Sequence, residues 1–184
     1  MENKHCYNFL PYETKKAGVL DGCVDATYII HLIDNGRKEN ILEQLKRVNP
    51  TKTIYIIENP GFKKCKKMLK EQKSQFDLVD AFLNAFYHAK ENNYNNILIL
   101  EDDFIFTEDI KKINIIKDLQ NFIKIIDFNL LYLGNFFLFV PNLYNIKFPY
   151  ILLNGTAHSI IYSKKSRNKI LKKNKKISNI KYLG

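Results

Sequence analysis

The chain has 184 residues, 46% of them hydrophobic and 13% aromatic, which is enough apolar surface for one globular domain with a sizeable core. Its most apolar stretch, residues 130–140, is broken by Gly134 and Asn135, and the opening Glu2-Asn3-Lys4-His5 lacks the basic-then-apolar layout of a secretory signal. No membrane span and a cytoplasmic location are therefore expected. A formal charge of +10 favours anionic partners, but 26 Lys stand against only 3 Arg, and a phosphate-reading surface draws on the bidentate fork of Arg, so nucleic acid is not the expected partner.

Residues 1–25 carry no sustained period and are punctuated by Pro11, Gly18 and Gly22; they read as an irregular lead-in to a domain over residues 26–184. The β-branched and aromatic run 27–33 reads as a buried strand, Asp34-Asn35-Gly36 as a turn, and the residues to about Val48 as an amphipathic helix with Ile41, Leu42, Leu45 and Val48 on one face. A second strand is expected over 52–57. Pro60-Gly61 then turns into a Lys-rich helix through Lys73. From Asp77, Val79, Phe82, Leu83, Phe86 and Ala89 recur at helical spacing until the Asn-rich 92–96. Residues 96–100 read as a strand, 108–126 as a helix, 130–133, 136–140 and 158–162 as strands, and 163–173 as a basic helix. Strands alternating with helices imply an α/β fold with a mainly parallel sheet covered on both faces, whose ligands collect beyond the carboxyl ends of the strands. Cys6, Cys23 and Cys65 are odd in number and too far apart for a zinc knuckle or a redox pair, so free thiols are expected.

The chemistry concentrates at Glu101-Asp102-Asp103. Ile97 to Leu100 are all apolar, as in a central strand, and the three acids begin where that strand reaches its open end. Adjacent carboxylates repel, and burying them unpaired is costly, so a cation should meet them. Mg²⁺ or Mn²⁺, which take oxygen ligands and keep positions for water and phosphate, suit such a site. The bland alternative is an acidic turn paired with surface lysines. Phe104 and Phe106 read as core. His31, Asp34 and Arg37 stand at the end of the first strand, with Glu58 on the same rim, and Arg37 either serves that rim or is ordinary helix-surface charge. Asp80 and Asn84, one helical turn apart, either face a ligand or are solvated helix polarity.

Residues 97–106, Ile-Leu-Ile-Leu-Glu-Asp-Asp-Phe-Ile-Phe, resemble the strand and acidic motif of glycosyltransferase family 25, the lipooligosaccharide and collagen galactosyltransferases. Residues 28–34 with Arg37-Lys38-Glu39 are similar to that family's opening strand and basic turn, Leu131-Tyr132-Leu133-Gly134 to a later strand and glycine, and residues 155–165 to its histidine-led strand and following helix. Where the family has a glycine-cysteine and a serine-histidine pair before the acidic strand, this chain has Asp77, Leu78, Ala81 and Phe82. The resemblance implies a GT-A fold, a Rossmann-like mixed sheet with helices on both faces. It also implies metal-dependent, inverting transfer of a hexose, galactose or glucose first. The donor would be a nucleotide-diphosphate sugar, UDP-sugar first, and the acceptor a hydroxyl of a glycan, glycolipid or protein. By the same resemblance Asp103 and Asp102 would hold Mn²⁺ or Mg²⁺, Asp102 would border the cofactor, and His158 would be the third ligand. His31, Asp34 and Arg37 would be the nucleoside and phosphate neighbours, and Asp80 and Asn84 could face the nucleotide. Three rivals stand beside it: a metal-dependent phosphohydrolase or nuclease, a catalytically reduced relic, and a basic nucleotide-, nucleic-acid- or glycan-binding module.

Overall fold

Alternating apolar residues along short β-branched runs build the sheet, and the helices between them close over both of its faces. The computed structural model describes residues 3–133 and 159–181. Six strands are formed among them: β1 (Asn8–Pro11), β2 (Ala26–Leu32), β3 (Ile54–Asn59), β4 (Asn96–Glu101), β5 (Leu130–Tyr132) and β6 (Ser159–Ser163). The helices are α1 (Lys38–Arg47), α2 (Ser74–Glu91), α3 (Ile113–Ile125) and α4 (Lys164–Lys181), with a 3-10 turn at Glu108–Lys111.

The strands form one open sheet in the order β1-β3-β2-β4-β6-β5. β2 pairs in parallel with β3 and β4, whereas β1–β3, β4–β6 and β5–β6 are antiparallel. The sheet is mixed as expected, but the expectation that it is mainly parallel is corrected, since three of the five pairings are antiparallel. The parallel centre carries the consequence for function. From β2 the chain steps to β3 on one side and then crosses to β4 on the other, so the strand order reverses between β2 and β4. In open α/β sheets the crevice at the carboxyl ends of two such strands is where ligands bind.

Period-two alternation sorts the side chains. Tyr28, Ile30, Ile57, Ile97, Ile99, Ile160 and Tyr162 face one layer, with α2 and α4. Ile29, Ile54, Ile56, Leu98, Leu100 and Ile161 face the other, with α1 and α3. Ile29, Ile57, Ile97 and Ile99 are fully buried, each contributing about 1.5–3 kcal/mol of apolar burial. On α2 the buried stripe is Ala81, Ala85 and Ala89 with Phe86, while Val79 is exposed. Phe86 and Ala89 are buried as expected and Phe82 and Leu83 pack partly buried against the same cluster, so of the expected face only Val79 turns outward, while the small Ala81 and Ala85 let the helix lie close to the sheet.

Three other expectations change. The lead-in is not wholly irregular: β1 pairs along its length with β3, and Cys6 and Tyr7 are buried. No helix forms over 61–73; the segment is a turn and an extended loop, because Lys67 points inward and α2 starts only at Ser74. Cys6 and Cys65, 59 residues apart in sequence, meet as a disulfide with their Cα atoms 5.9 Å apart, and Cys23 alone is a free, buried thiol. The strand expected over 136–140 lies outside the described residues. No described helix is long and apolar enough to cross a membrane.

Beneath β1 a ring cluster supplies a pH dependence. The His88 ring is stacked on Phe9 at 4.4 Å, and its Nδ1 meets the Tyr28 hydroxyl at 2.8 Å. Burial pushes the imidazole below its ordinary value, with Glu91 opposing and Lys4 adding slightly. A histidine kept neutral in the fold binds fewer protons than the unfolded chain, so its stabilising contribution is complete above the unfolded value of about 6.5 and is lost as pH falls toward the folded one. Urea midpoints measured between pH 8 and 5 are expected to fall on the acid side in the wild type, and a His88→Gln protein should show a shallower fall.

Candidate functional site at the ends of the parallel strands

The acid triplet is a turn. Glu101 is the last residue of β4, opposite Ile30 of β2, and the Phe104 amide donates to the Glu101 carbonyl at 3.1 Å, which puts Asp102 and Asp103 at the two corner positions. Beyond the turn the chain dives back inward. Phe104 and Phe106 are both buried, with ring centroids 5.0 Å apart, and the Phe106 amide donates to Gln44 Oε1 of α1 at 3.0 Å. The turn is thereby held at both ends, between the central strand and α1.

Asp102 points inward and is 5% exposed. Its Oδ2 accepts from the Leu32 amide at 2.9 Å and from Asn35 Nδ2 at 2.6 Å, with His31 Nδ1 at 3.4 Å; its Oδ1 accepts from Arg37 at 2.7 Å. All four donors come from the end of β2 and the loop after it. Burial alone would push this carboxyl up, but the hydrogen bonds from Arg37, Leu32, Asn35 and His31 outweigh it and hold the group below its ordinary value.

The loop's own sequence explains why it can wrap a carboxylate. Asp34 and Gly36 adopt φ of 65° and 74°, which Asp tolerates and Gly prefers. Asn35 accepts from the Arg37 amide at 3.0 Å, closing an Asx turn, while its amide group binds Asp102. Arg37 then reaches across the triplet, 2.7 Å from Asp102 and 3.6 Å from Asp103 Oδ2. Lys38 pairs with Glu58 at 2.9 Å and Lys64 with Asp34 at 2.7 Å, so three cations line the rim beside the acids. Both partner carboxyls are held below their ordinary values, Glu58 by the Lys38 hydrogen bond and Asp34 by the Lys64 one.

The expected residues divide accordingly. The structure gathers His31, Asp34, Arg37, Asp102 and Asp103 at the β2–β4 crevice, and Glu58 joins the rim. Asp80 is engaged elsewhere: its carboxylate accepts from Asn3 at 3.0 Å and from the Tyr7 hydroxyl at 2.7 Å. Asn84 donates to the Asp80 carbonyl at 2.9 Å, and its buried Oδ1 has no donor among the described residues. His158 lies outside them. Sequence reasoning missed Asn35, Lys38 and Lys64. An Asn before Gly in a strand-end turn is a readable signal for the first, and the basic Arg37-Lys38-Glu39 turn for the second; nothing in the lysine-rich stretch around Cys65 marks Lys64.

The donor chemistry fits a hard divalent ion at Asp103, a carboxylate 40% exposed at the strand end. At Asp102 the match is narrower. Oδ2 is filled by N–H donors, and Oδ1 is reachable only by exchange with the Arg37 guanidinium, which stands where a cation between the two acids would stand. An open cleft of about 530 Å³, lined by Pro11, Tyr12, Lys52, Ile54 and Tyr55 among others, lies at the amino end of β3, the opposite edge of the sheet from these acids. Comparison with protein-family models and with curated proteins finds no match to this chain.

Proposed function

We propose that the chain is a glycosyltransferase of the GT-A type that moves a hexose from a nucleotide-diphosphate sugar, UDP-sugar first, to a hydroxyl of a glycan, glycolipid or protein. The observation that carries this reading is the pairing of an acid turn with a basic loop at the strand-order reversal, Asp102 and Asp103 on one side and Arg37 on the other. A diphosphate needs such a site. Arg37 binds two phosphate oxygens through its fork, with Lys38 and Lys64 adding charge at the rim. Asp102 orients Arg37 and fixes the loop. Asp103 would hold Mn²⁺ or Mg²⁺, which when bound neutralises the charge developing on the departing diphosphate. His31, behind Asp102, sets the floor on which the nucleoside end rests.

A thermal-shift series with uridine, guanosine and cytidine diphosphates and their sugars, with and without Mn²⁺, tests the reading. One nucleotide should raise the melting temperature, and more so with metal. Asp103→Asn should abolish the metal-dependent part, and Arg37→Ala should weaken nucleotide binding about tenfold or more. Failure of every nucleotide to shift the transition would sink the proposal.

A second reading is favoured by one specific feature, the guanidinium already seated between Asp102 and Asp103: a module that binds the nucleotide without metal and transfers nothing. It predicts equal nucleotide affinity in chelator and in Mn²⁺, with no sugar transfer or donor hydrolysis.

A further inference from the structure

Far from the acid turn in function, the N-terminal segment brings together a second set of ligand atoms. His5 Nε2, Cys6 Sγ and Cys65 Sγ all lie within 4.8 Å of one another, and no other group of three or more His, Cys, Asp or Glu converges this closely among the described residues. His5 is exposed, Cys65 half-buried and Cys6 buried, so the cluster opens to solvent on one side and is walled on the other. In the structure the two sulfurs are joined.

We propose that this cluster is a redox-gated zinc site: with Cys6 and Cys65 reduced, their thiolates and His5 hold one Zn²⁺, and the disulfide excludes it. Three arguments support it. The first is chemical, since two thiolates and an imidazole are a preferred zinc set, and three protein ligands leave a fourth position for water. The second is geometric. Tetrahedral Zn with bonds of about 2.3 Å to sulfur and 2.0–2.1 Å to nitrogen requires S···N near 3.5 Å and S···S near 3.8 Å. His5 Nε2 already stands 3.5 Å from Cys6 Sγ, and the sulfurs need only part from the roughly 2 Å of a disulfide.

The third is that the two segments are held together by bonds that survive reduction. The Met68 amide donates to Asn3 Oδ1 at 2.8 Å, and Lys67 donates to the Tyr7 hydroxyl at 2.9 Å with its ammonium 4.2 Å from the Tyr7 ring centre. Each cysteine also sits in its own hydrogen-bonded turn, the Cys6 amide on the Asn3 carbonyl at 2.9 Å and the Cys65 amide on the Gly61 carbonyl at 3.1 Å. The thiols therefore remain close after the S–S bond breaks.

The exchange balances. A cellular dithiol supplies two electrons and two protons, the Cys6–Cys65 bond becomes two thiols, and the dithiol ends as its own disulfide. Zn²⁺ then displaces both thiol protons to solvent and keeps its oxidation state.

The test uses the full chain, reduced with a phosphine and stripped by chelator, then titrated with Zn²⁺ and separately with Co²⁺ as a spectroscopic probe. The reduced protein is expected to retain one Zn²⁺ after desalting and to show a thiolate-to-cobalt charge-transfer band, whereas the oxidised protein should do neither. His5→Ala, at an exposed position, should weaken binding about tenfold or more, and Cys23→Ser should leave it unchanged. Cys6→Ser and Cys65→Ser should each remove the band, with circular dichroism reporting whether they fold. A reduced wild-type chain without the charge-transfer band overturns the proposal, as does a band that persists in the oxidised protein or disappears only with Cys23→Ser.

Discussion

Asp102→Asn is expected to lower stability by about 2–4 kcal/mol without any metal present, read as a lower urea midpoint at unchanged slope. The amide keeps one acceptor oxygen where the carboxylate offers two, and its NH₂ would face either the Leu32 amide and Asn35 or the Arg37 guanidinium. A buried donor against a donor leaves both without partners, and hydrogen bonds to a charged acceptor are the stronger kind. A carboxylate serving only as a cation ligand predicts the opposite sign, since removing one of three adjacent acids relieves repulsion in the metal-free protein. Asp103→Asn provides the contrast: half-exposed, it should change stability little and metal response strongly. Equal destabilisation by the two substitutions would contradict this division of roles. The pH dependence follows the same logic. The Asp102 carboxyl is held below its unfolded value of about 3.9, so its contribution is full above that value and is lost as pH falls through the folded one, an acid limb the Asn variant should lack.

The part of the site made by local sequence was legible before the fold was known. An apolar strand running into three acids, and a β-branched strand running into Asp-Asn-Gly-Arg, each end where the chain must leave the sheet, and parallel pairing of β2 with β4 sets the two ends side by side. What could not be read was how the acids divide their work, because Asp102 and Asp103 differ only in which side of a turn they face. Strand direction was equally hidden: nothing in Ser-Ile-Ile-Tyr-Ser distinguishes β6 antiparallel from β6 parallel, since direction is decided by the connection before it. The lysine pattern over 61–73 misled for a physical reason. A solvated basic helix and a loop with one inward lysine have nearly the same composition, and Lys67 is recognised only by the acceptors that α2, β3 and Tyr7 bring to it. The Cys6–Cys65 contact spans 59 residues and rests on β1 pairing with β3, a tertiary event that spacing rules do not see.

Lys67 also carries the other large expected effect. Its ammonium has no exposed surface and donates to Asp77 at 2.5 Å, to Asn59 Oδ1 at 2.6 Å and to the Tyr7 hydroxyl at 2.9 Å, and Asn59 donates in turn to Asp77 at 3.1 Å. Removing one member leaves the other's charge buried and unpaired, so Lys67→Met and Asp77→Leu should each cost about 3–5 kcal/mol. The double variant should recover part of that loss, because the two apolar groups need no partner and only the buried Asn59 Nδ2 loses its acceptor. Urea unfolding of the four proteins, with the disulfide state held constant, gives the coupling directly, and strictly additive losses would show that the pair does not act as a unit. The network reaches the candidate site through Asn59, whose Oδ1 also accepts the Gly61 amide at 2.8 Å and so shapes the turn that carries Lys64 to Asp34. The double variant should therefore fold yet bind a nucleotide diphosphate more weakly than the wild type, because the Lys67 ammonium no longer holds the side chain that aims the rim.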